Sequence, residues 1–227
     1  MLTFPITLFA GGAATRTFLQ AETPQIASAS TYTFTSVNLG TASSDRYVVV
    51  VIASGVLTPG RTLNSVTIGG NTATLDANAN TSVAASSTTI VGIARLLVTS
   101  GTSANVVATF SGNMSVCHCF TYTLTGLVAA APTATKTTSV TSGTVINDTI
   151  NIPAGGIFLM AAAATTSTGS WTETGATEDA DDGGGSSNNL PACCASIAGL
   201  AAETGRAYSA TISANTPAMA MAAAAWH

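Results

Sequence analysis

Four cysteines, two histidines and a run of carboxylates are the residues of this chain whose types could do chemistry. The cysteines fall as Cys117-His118-Cys119 and Cys193-Cys194, and thiolates with an imidazole are the ordinary ligands of zinc. Successive side chains of a strand point to opposite faces, so one ion cannot easily take all three ligands of the first trio. Read as a strand over 114–124, Met114, Val116, His118, Phe120, Tyr122 and Leu124 share one face. Ser115, Cys117, Cys119, Thr121 and Thr123 share the other. Cys117, Cys119, Cys193 and Cys194 could form a four-thiolate site only if their segments met, and they lack the usual Cys-x2-Cys pairs. That spacing favours small buried hydrophobes over metal ligands.

The carboxylates are uneven, since Glu173, Glu178, Asp179, Asp181 and Asp182 are half of the ten in the chain. Glu178, Asp179, Asp181 and Asp182 run into Gly183-Gly184-Gly185, and clustered hard oxygens suggest calcium. The spacing is not that of an EF-hand: counted from Asp179, the closing twelfth position is Leu190 rather than Glu. A solvated surface loop is the expectation. Trp171 follows Thr168-Gly169-Ser170 and is the candidate for stacking on a sugar at a loop rim, whereas Trp226 ends an apolar run and belongs to a core. No Gly-x-Ser-x-Gly elbow, phosphate loop or dinucleotide glycine pattern occurs. No catalytic residue is assigned, no cofactor is expected, and the chain reads as a non-enzyme.

Charged residues are 7% of the 227, while the hydrophobic fraction is 46%; an average domain is roughly 25% charged. Thr, Ser, Asn and Gly therefore carry the polarity, and such a surface can pack on neighbours with few charges to desolvate. Six basic residues, with Lys136 the one lysine, leave no electrostatic footprint for nucleic acid. No stretch reaches the roughly 18 apolar residues of a membrane-spanning helix. The apolar start Met1-Leu2-Thr3-Phe4-Pro5 has no basic residue before Arg16 and does not read as a cleaved signal peptide.

The elements that must position these residues are short strands parted by turns. Residues 1–27 read as an arm, or an irregular first strand, leaning on the core or on a partner. Strands are expected over 32–39, 47–53, 63–68, 88–98, 105–110 and 114–124. A linker over 129–142 follows, then strands over 144–152, 157–164, 170–174, 192–200, 207–213 and 218–226. This spacing predicts an all-β chain, an antiparallel β-sandwich or jelly-roll-like domain over 28–227. The two sets echo each other: Val37-Asn38-Leu39 returns as Ile150-Asn151-Ile152, and Ala108-Thr109-Phe110-Ser111 as Ala210-Thr211-Ile212-Ser213. Two pseudo-repeated halves, about 28–128 and 143–227, are the expectation, with the run Arg46–Ala53 and the run Ile157–Ala164 as matched central strands. Asp45 and Arg46 read as a pair at the entrance of the first.

The segments Gly40-Thr41-Ala42-Ser43-Ser44-Asp45-Arg46-Tyr47, Arg61-Thr62-Leu63-Asn64-Ser65-Val66-Thr67-Ile68-Gly69-Gly70, Phe110-Ser111-Gly112-Asn113-Met114 and Ile152-Pro153-Ala154-Gly155-Gly156, with the Ala-rich end at Trp226, resemble β-rich structural proteins of tailed bacteriophages and prophages. The resemblance runs from about residue 30 to the end. It implies a virion component, either a capsid decoration (cement) protein or a tail or fibre subunit. Its expected partners are other virion proteins and further copies of itself, not nucleic acid or membrane. A carbohydrate-binding module is the alternative from another class.

Overall fold

A β-branched run without polar alternation is stable as a strand only where both of its faces are covered. The strand β3 (Tyr47–Val56) is of this kind, with every residue after Tyr47 buried. Its counterpart β12 (Gly156–Ala164) is buried along its whole length. The computed structural model describes residues 14–83, 86–166, 168–185, 190–216 and 218–227. Among them are 17 strands and no helix, and every pairing is antiparallel, so the expected all-β sandwich is the fold.

β3 is the middle of a five-stranded sheet ordered β1 (Thr15–Ala21), β9 (Val116–Thr125), β3, β7 (Ser87–Leu97), β6 (Thr74–Val83). β12 is the middle of a second, ordered β10 (Ala134–Val140), β17 (Met219–Trp226), β12, β15 (Ala192–Leu200), β14 (Thr177–Asp182). An outer sheet of β2 (Ala29–Asn38), β8 (Ser103–Met114), β4 (Leu63–Ile68) and β5 (Asn71–Thr72) covers the first inner sheet. The second is covered by β11 (Gly143–Ile152), β16 (Glu203–Thr216) and β13 (Trp171–Thr174). The two inner sheets then pack on each other, giving four layers and three cores. In the middle core Val49, Val51, Phe120 and Tyr122 meet Ile157, Leu159, Ala222 and Trp226.

The strand order of residues 15–125 recurs in 134–226, and so does the register. Val37 lies opposite Ala104 and Ile150 opposite Arg206. Leu63 lies opposite Phe110 and Trp171 opposite Ile212. Tyr47 lies opposite Leu124 and Ile157 opposite Trp226. Along β8–β9 and β16–β17 the offset is a constant 102, from Ala104, Phe110 and Leu124 to Arg206, Ile212 and Trp226.

Five strands differ from the sequence reading, and all are sheet edges: the two-residue β5 of the first outer sheet and the four edges of the inner sheets. The supposed arm contains β1, paired with β9 from Thr15 to Ala21, while residues 1–13 lie outside the described residues. The supposed linker contains β10, the solvated acidic loop is β14, and β6 fills the gap after Gly70. An edge strand needs no long apolar run, because one side of its backbone has no neighbour to match. The expected single strand over 114–124 is also divided. Met114 ends β8 in the outer sheet, the chain turns at Ser115, and β9 begins in the inner sheet. Met114 therefore packs in the first outer core, away from the face of Phe120 and Tyr122.

Arg46 and Asp45 do not pair with each other. Arg46 is 0% exposed, and its guanidinium donates to five carbonyls: Val98 at 2.8 Å, Leu39 at 3.0 Å, Gly40 at 2.7 Å, Ser100 at 3.0 Å and Gly101 at 2.8 Å. The fork thus closes the end of β2 and the β7–β8 turn over the entrance of β3. Asp45 instead accepts from Gly126 N at 2.8 Å and from the Ser43 hydroxyl. Replacing Arg46 by Met keeps the bulk and strips five carbonyls, one buried and four part-buried, of their donor. Urea and thermal unfolding of Arg46→Met should show a loss of roughly 3 kcal/mol or more, a fall in Tm of about 6–12 °C for a chain of this size; an unchanged midpoint would refute this role.

Candidate functional site

The cysteines are distributed over all three cores. Cys117 and Cys119 face the first outer core, Cys194 the middle core and Cys193 the second outer core. All four are free and 0% exposed. The four-thiolate reading is therefore overturned: adjacent Cys193 and Cys194 point to opposite faces of β15, and neither shares a core with Cys117 or Cys119. Burial pushes each thiol up from its usual value, which removes the thiolate that metal binding or nucleophilic attack requires.

The acidic stretch is divided in the same way. β14 carries a bulge between Glu178 and Ala180. Asp179 and Asp182 turn toward the seam between the inner sheets. Glu178 and Asp181 lie opposite Ala195 and Cys193, on the side of the second outer core. Among the described residues no three His, Cys, Asp or Glu side chains converge to hold a metal, so calcium loses its site along with zinc. Trp171 is 3% exposed and packs in the second outer core; it is no rim platform for a sugar. Its backbone N–H donates to Asp181 Oδ2 at 2.9 Å. Trp226 is in the middle core, as expected.

What does converge is a polar seam between the two halves. Arg16 of β1 donates to Asp179 Oδ1 at 3.2 Å and to the Ser196 carbonyl at 3.2 Å. The Tyr122 hydroxyl donates to Asp179 Oδ2 at 3.0 Å, and the Ser196 hydroxyl donates to the same oxygen. Burial raises the Asp179 carboxyl from its usual value, opposed by Ser196, Arg16 and Tyr122. Next along the seam His118 Nε2 lies 2.8 Å from the Leu190 carbonyl, and its Nδ1 lies 3.6 Å from Asp182 Oδ2. Burial lowers its pKa against the pull of Asp182, so the ring is a neutral donor to Leu190. Leu190 itself caps Gly55, where a Cβ would come within 2.4 Å of its Cδ1. The opposite side of the seam is apolar, with Ala77 and Ala79 of β6 against Ala220 and Ala222 of β17.

These groups hold one half to the other, and both oxygens of Asp179 are spent on Arg16, Tyr122 and Ser196. The sequence marked Asp179 and Asp182 as candidates and set His118 and Tyr122 on one strand face, but gave no sign of Arg16, which belongs to another strand, or of the seam that brings them together. Comparison with family models, curated proteins and solved structures finds no match to this chain.

Buried thiols of this kind should be silent until the chain unfolds. At pH 8 the native protein is expected to leave an aromatic disulfide reagent unreduced, and the denatured chain to release four equivalents. Fast reaction of any thiol in the native protein would show that its core is open.

Proposed function

We propose that this chain is a non-catalytic structural component of a bacteriophage virion, a capsid decoration or cement protein that contacts other virion proteins and further copies of itself. The resemblance of its turns and strands supports the virion setting. The observation that carries the reading is the chemistry of the two outward faces. Alternation against the buried positions places Thr31, Thr33, Val107, Thr109, Ser65 and Thr67 on the face of the first outer sheet. Val145, Asn147, Thr211, Ser209, Thr172 and Thr174 hold the matching positions on the second. Neither set contains a charged residue. The cations are largely consumed inside, with Arg16 and Arg95 ion-paired to Asp179 and Asp76 and Arg46 wholly buried.

A body with two alike, uncharged, hydroxyl-rich faces on opposite sides of a four-layer stack is suited to repeated contact. Docking such a face desolvates no ion, and its hydroxyls can serve as donor or acceptor. The burial of Trp171 removes the one aromatic that favoured a carbohydrate-binding module, so that alternative is not pursued.

Imaging of virions that contain this chain is the direct test. A four-layered body over every capsomer is the expected result; density confined to the tail would transfer the chain to a tail or fibre role, and its absence from virions would end the reading. The arm can be tested separately. Deleting 1–13 should give a protein that no longer attaches to particles. Deleting 1–27 should also lower Tm, because it strips β1 with Arg16 and Phe18.

A further inference from the structure

The repeat gives every position of one half a counterpart in the other. Val66 lies opposite Ala108 in the first half and Glu173 opposite Ala210 in the second. Leu75 lies opposite Ala94, and Glu178 opposite Ala195. Asn78 lies opposite Gly92, and Asp181 opposite Cys193. The last pair retains a role: Asn78 Nδ2 donates to the Leu63 carbonyl at 3.2 Å, and Asp181 accepts from the backbone of Trp171, the counterpart of Leu63. The first two pairs invert theirs. Val66 is in the first outer core, with Leu75 packed against it, where the second half has the half-buried Glu173 and the exposed Glu178.

Glu173 is the anomaly of this region. Both of its carboxyl oxygens are buried with no hydrogen-bond partner. The groups acting on it are the Cys193 thiol of β15 and the Glu178 and Asp181 carboxylates of β14. On β16 its neighbours along the core-facing side are Tyr208 and Ile212, and Arg206 donates elsewhere, to the Gly175 carbonyl at 2.9 Å and to Glu203 Oε2 at 2.7 Å. An ionised carboxylate placed there has no counter-charge, finds only the weak thiol donor of Cys193 to oppose its burial, and faces two like charges. The β13–β14 connection it sits beside is tight: Gly175 has φ +84°, and a Cβ there would lie 2.5 Å from the Ala207 carbonyl.

We propose that Glu173 is a proton-operated latch for the edge strand β14. Protonated, it stays in the outer core beside Cys193; ionised, it is driven toward water and loosens β14 from β15. Burial pushes its carboxyl up to about 7 from 4.5, with Glu178 and Asp181 adding to the rise. The sign follows from linkage. The opened state ionises near 4.5 and the closed state near 7, so closure is tightest below the first value, weakens between the two and levels off above the second.

Amide exchange of 177–182, corrected for intrinsic rate, reads the latch directly. The opening constant should rise about tenfold or more between roughly pH 5 and pH 8. Glu173→Gln should remove most of that rise, leaving the part contributed by Asp179 and Asp181 of β14, whose carboxyls burial also raises. The double variant Glu173→Val with Glu178→Leu, which copies the first half, should show the same reduced dependence and melt higher. Exchange of 74–83 serves as the control, because Asp76 in β6 titrates with the same sign, its carboxyl raised to about 6 by burial against Arg95. A wild-type opening constant that does not change over this interval, or a Glu173→Gln protein that keeps the full pH dependence at 177–182, would overturn the proposal.

Discussion

Each inner sheet has to be kept out of water on both faces, and the rest of the molecule follows from that requirement. A sheet in this position accepts apolar side chains at every residue, which is why β3 reads as an unbroken β-branched run and β12 as an apolar run ending in alanines. Alanine is the informative residue here. In β17 the series Ala220, Ala222, Ala224 faces the middle core and Ala223, Ala225 the second outer core, so a strand lying between two other sheets has small side chains on both sides. Bulk is supplied by Phe120, Tyr122 and Leu159 of other strands and by Trp226 at the end of β17 itself, all in the same middle core. Close packing is sensitive to single methylenes, and the contact of Leu190 with Gly55 shows how little room the arrangement leaves.

The same requirement governs what is done with charge. A cation entering this interior needs a partner for every donor, and Arg46 finds five carbonyls rather than a carboxylate. A guanidinium can do this because its donors form a fixed planar fork, whereas an ammonium could not reach both turns at once. The edge strands solve a related problem at matching places. Asp76 and Asp179 each sit at the bulge of an edge strand and each bonds to the neighbouring strand, Asp76 to Arg95 and Asp179 to Ser196. The second site draws in Arg16 and Tyr122 as well, and the bulge that terminates one sheet becomes a clasp between the two halves.

How far the sequence could be read depended on burial. Strands covered on both faces, such as Tyr47–Val56, announce themselves by hydrophobicity alone, and those with one buried face, such as Ser103–Met114, by alternation. The edges β1, β6, β10 and β14 have neither signal. Thr177–Asp182 carries three aspartates and a glutamate in six residues, and composition alone makes it a loop. Its assignment as a strand depends on β15, which the chain reaches only after Leu190. The candidate chemistry failed for the same reason. Spacing placed Cys117 and Cys119 on one face correctly, but whether Cys193 and Cys194 share that core depends on which sheet lies between them.

The repeat offers what a single sequence otherwise lacks, a second solution to the same packing problem in the same molecule. Positions that agree between the halves report what the fold demands. The outward hydroxyls of Ser65, Thr67 and Thr109 return as Thr172, Thr174 and Thr211, and the edge-strand aspartates agree, as does the side-chain bond from β6 or β14 to the first residue of β4 or β13. Positions that disagree report what one half has acquired. Most such differences exchange one apolar side chain for another, as Leu63 for Trp171. Val66 for Glu173 and Leu75 for Glu178 are of another kind, because a core position of one half becomes a carboxyl with buried oxygens in the other, with a second, exposed carboxyl beside it. A scaffold with no further task would have kept these positions apolar, as its own first half does, and the departure is concentrated beside the most acidic edge of the molecule.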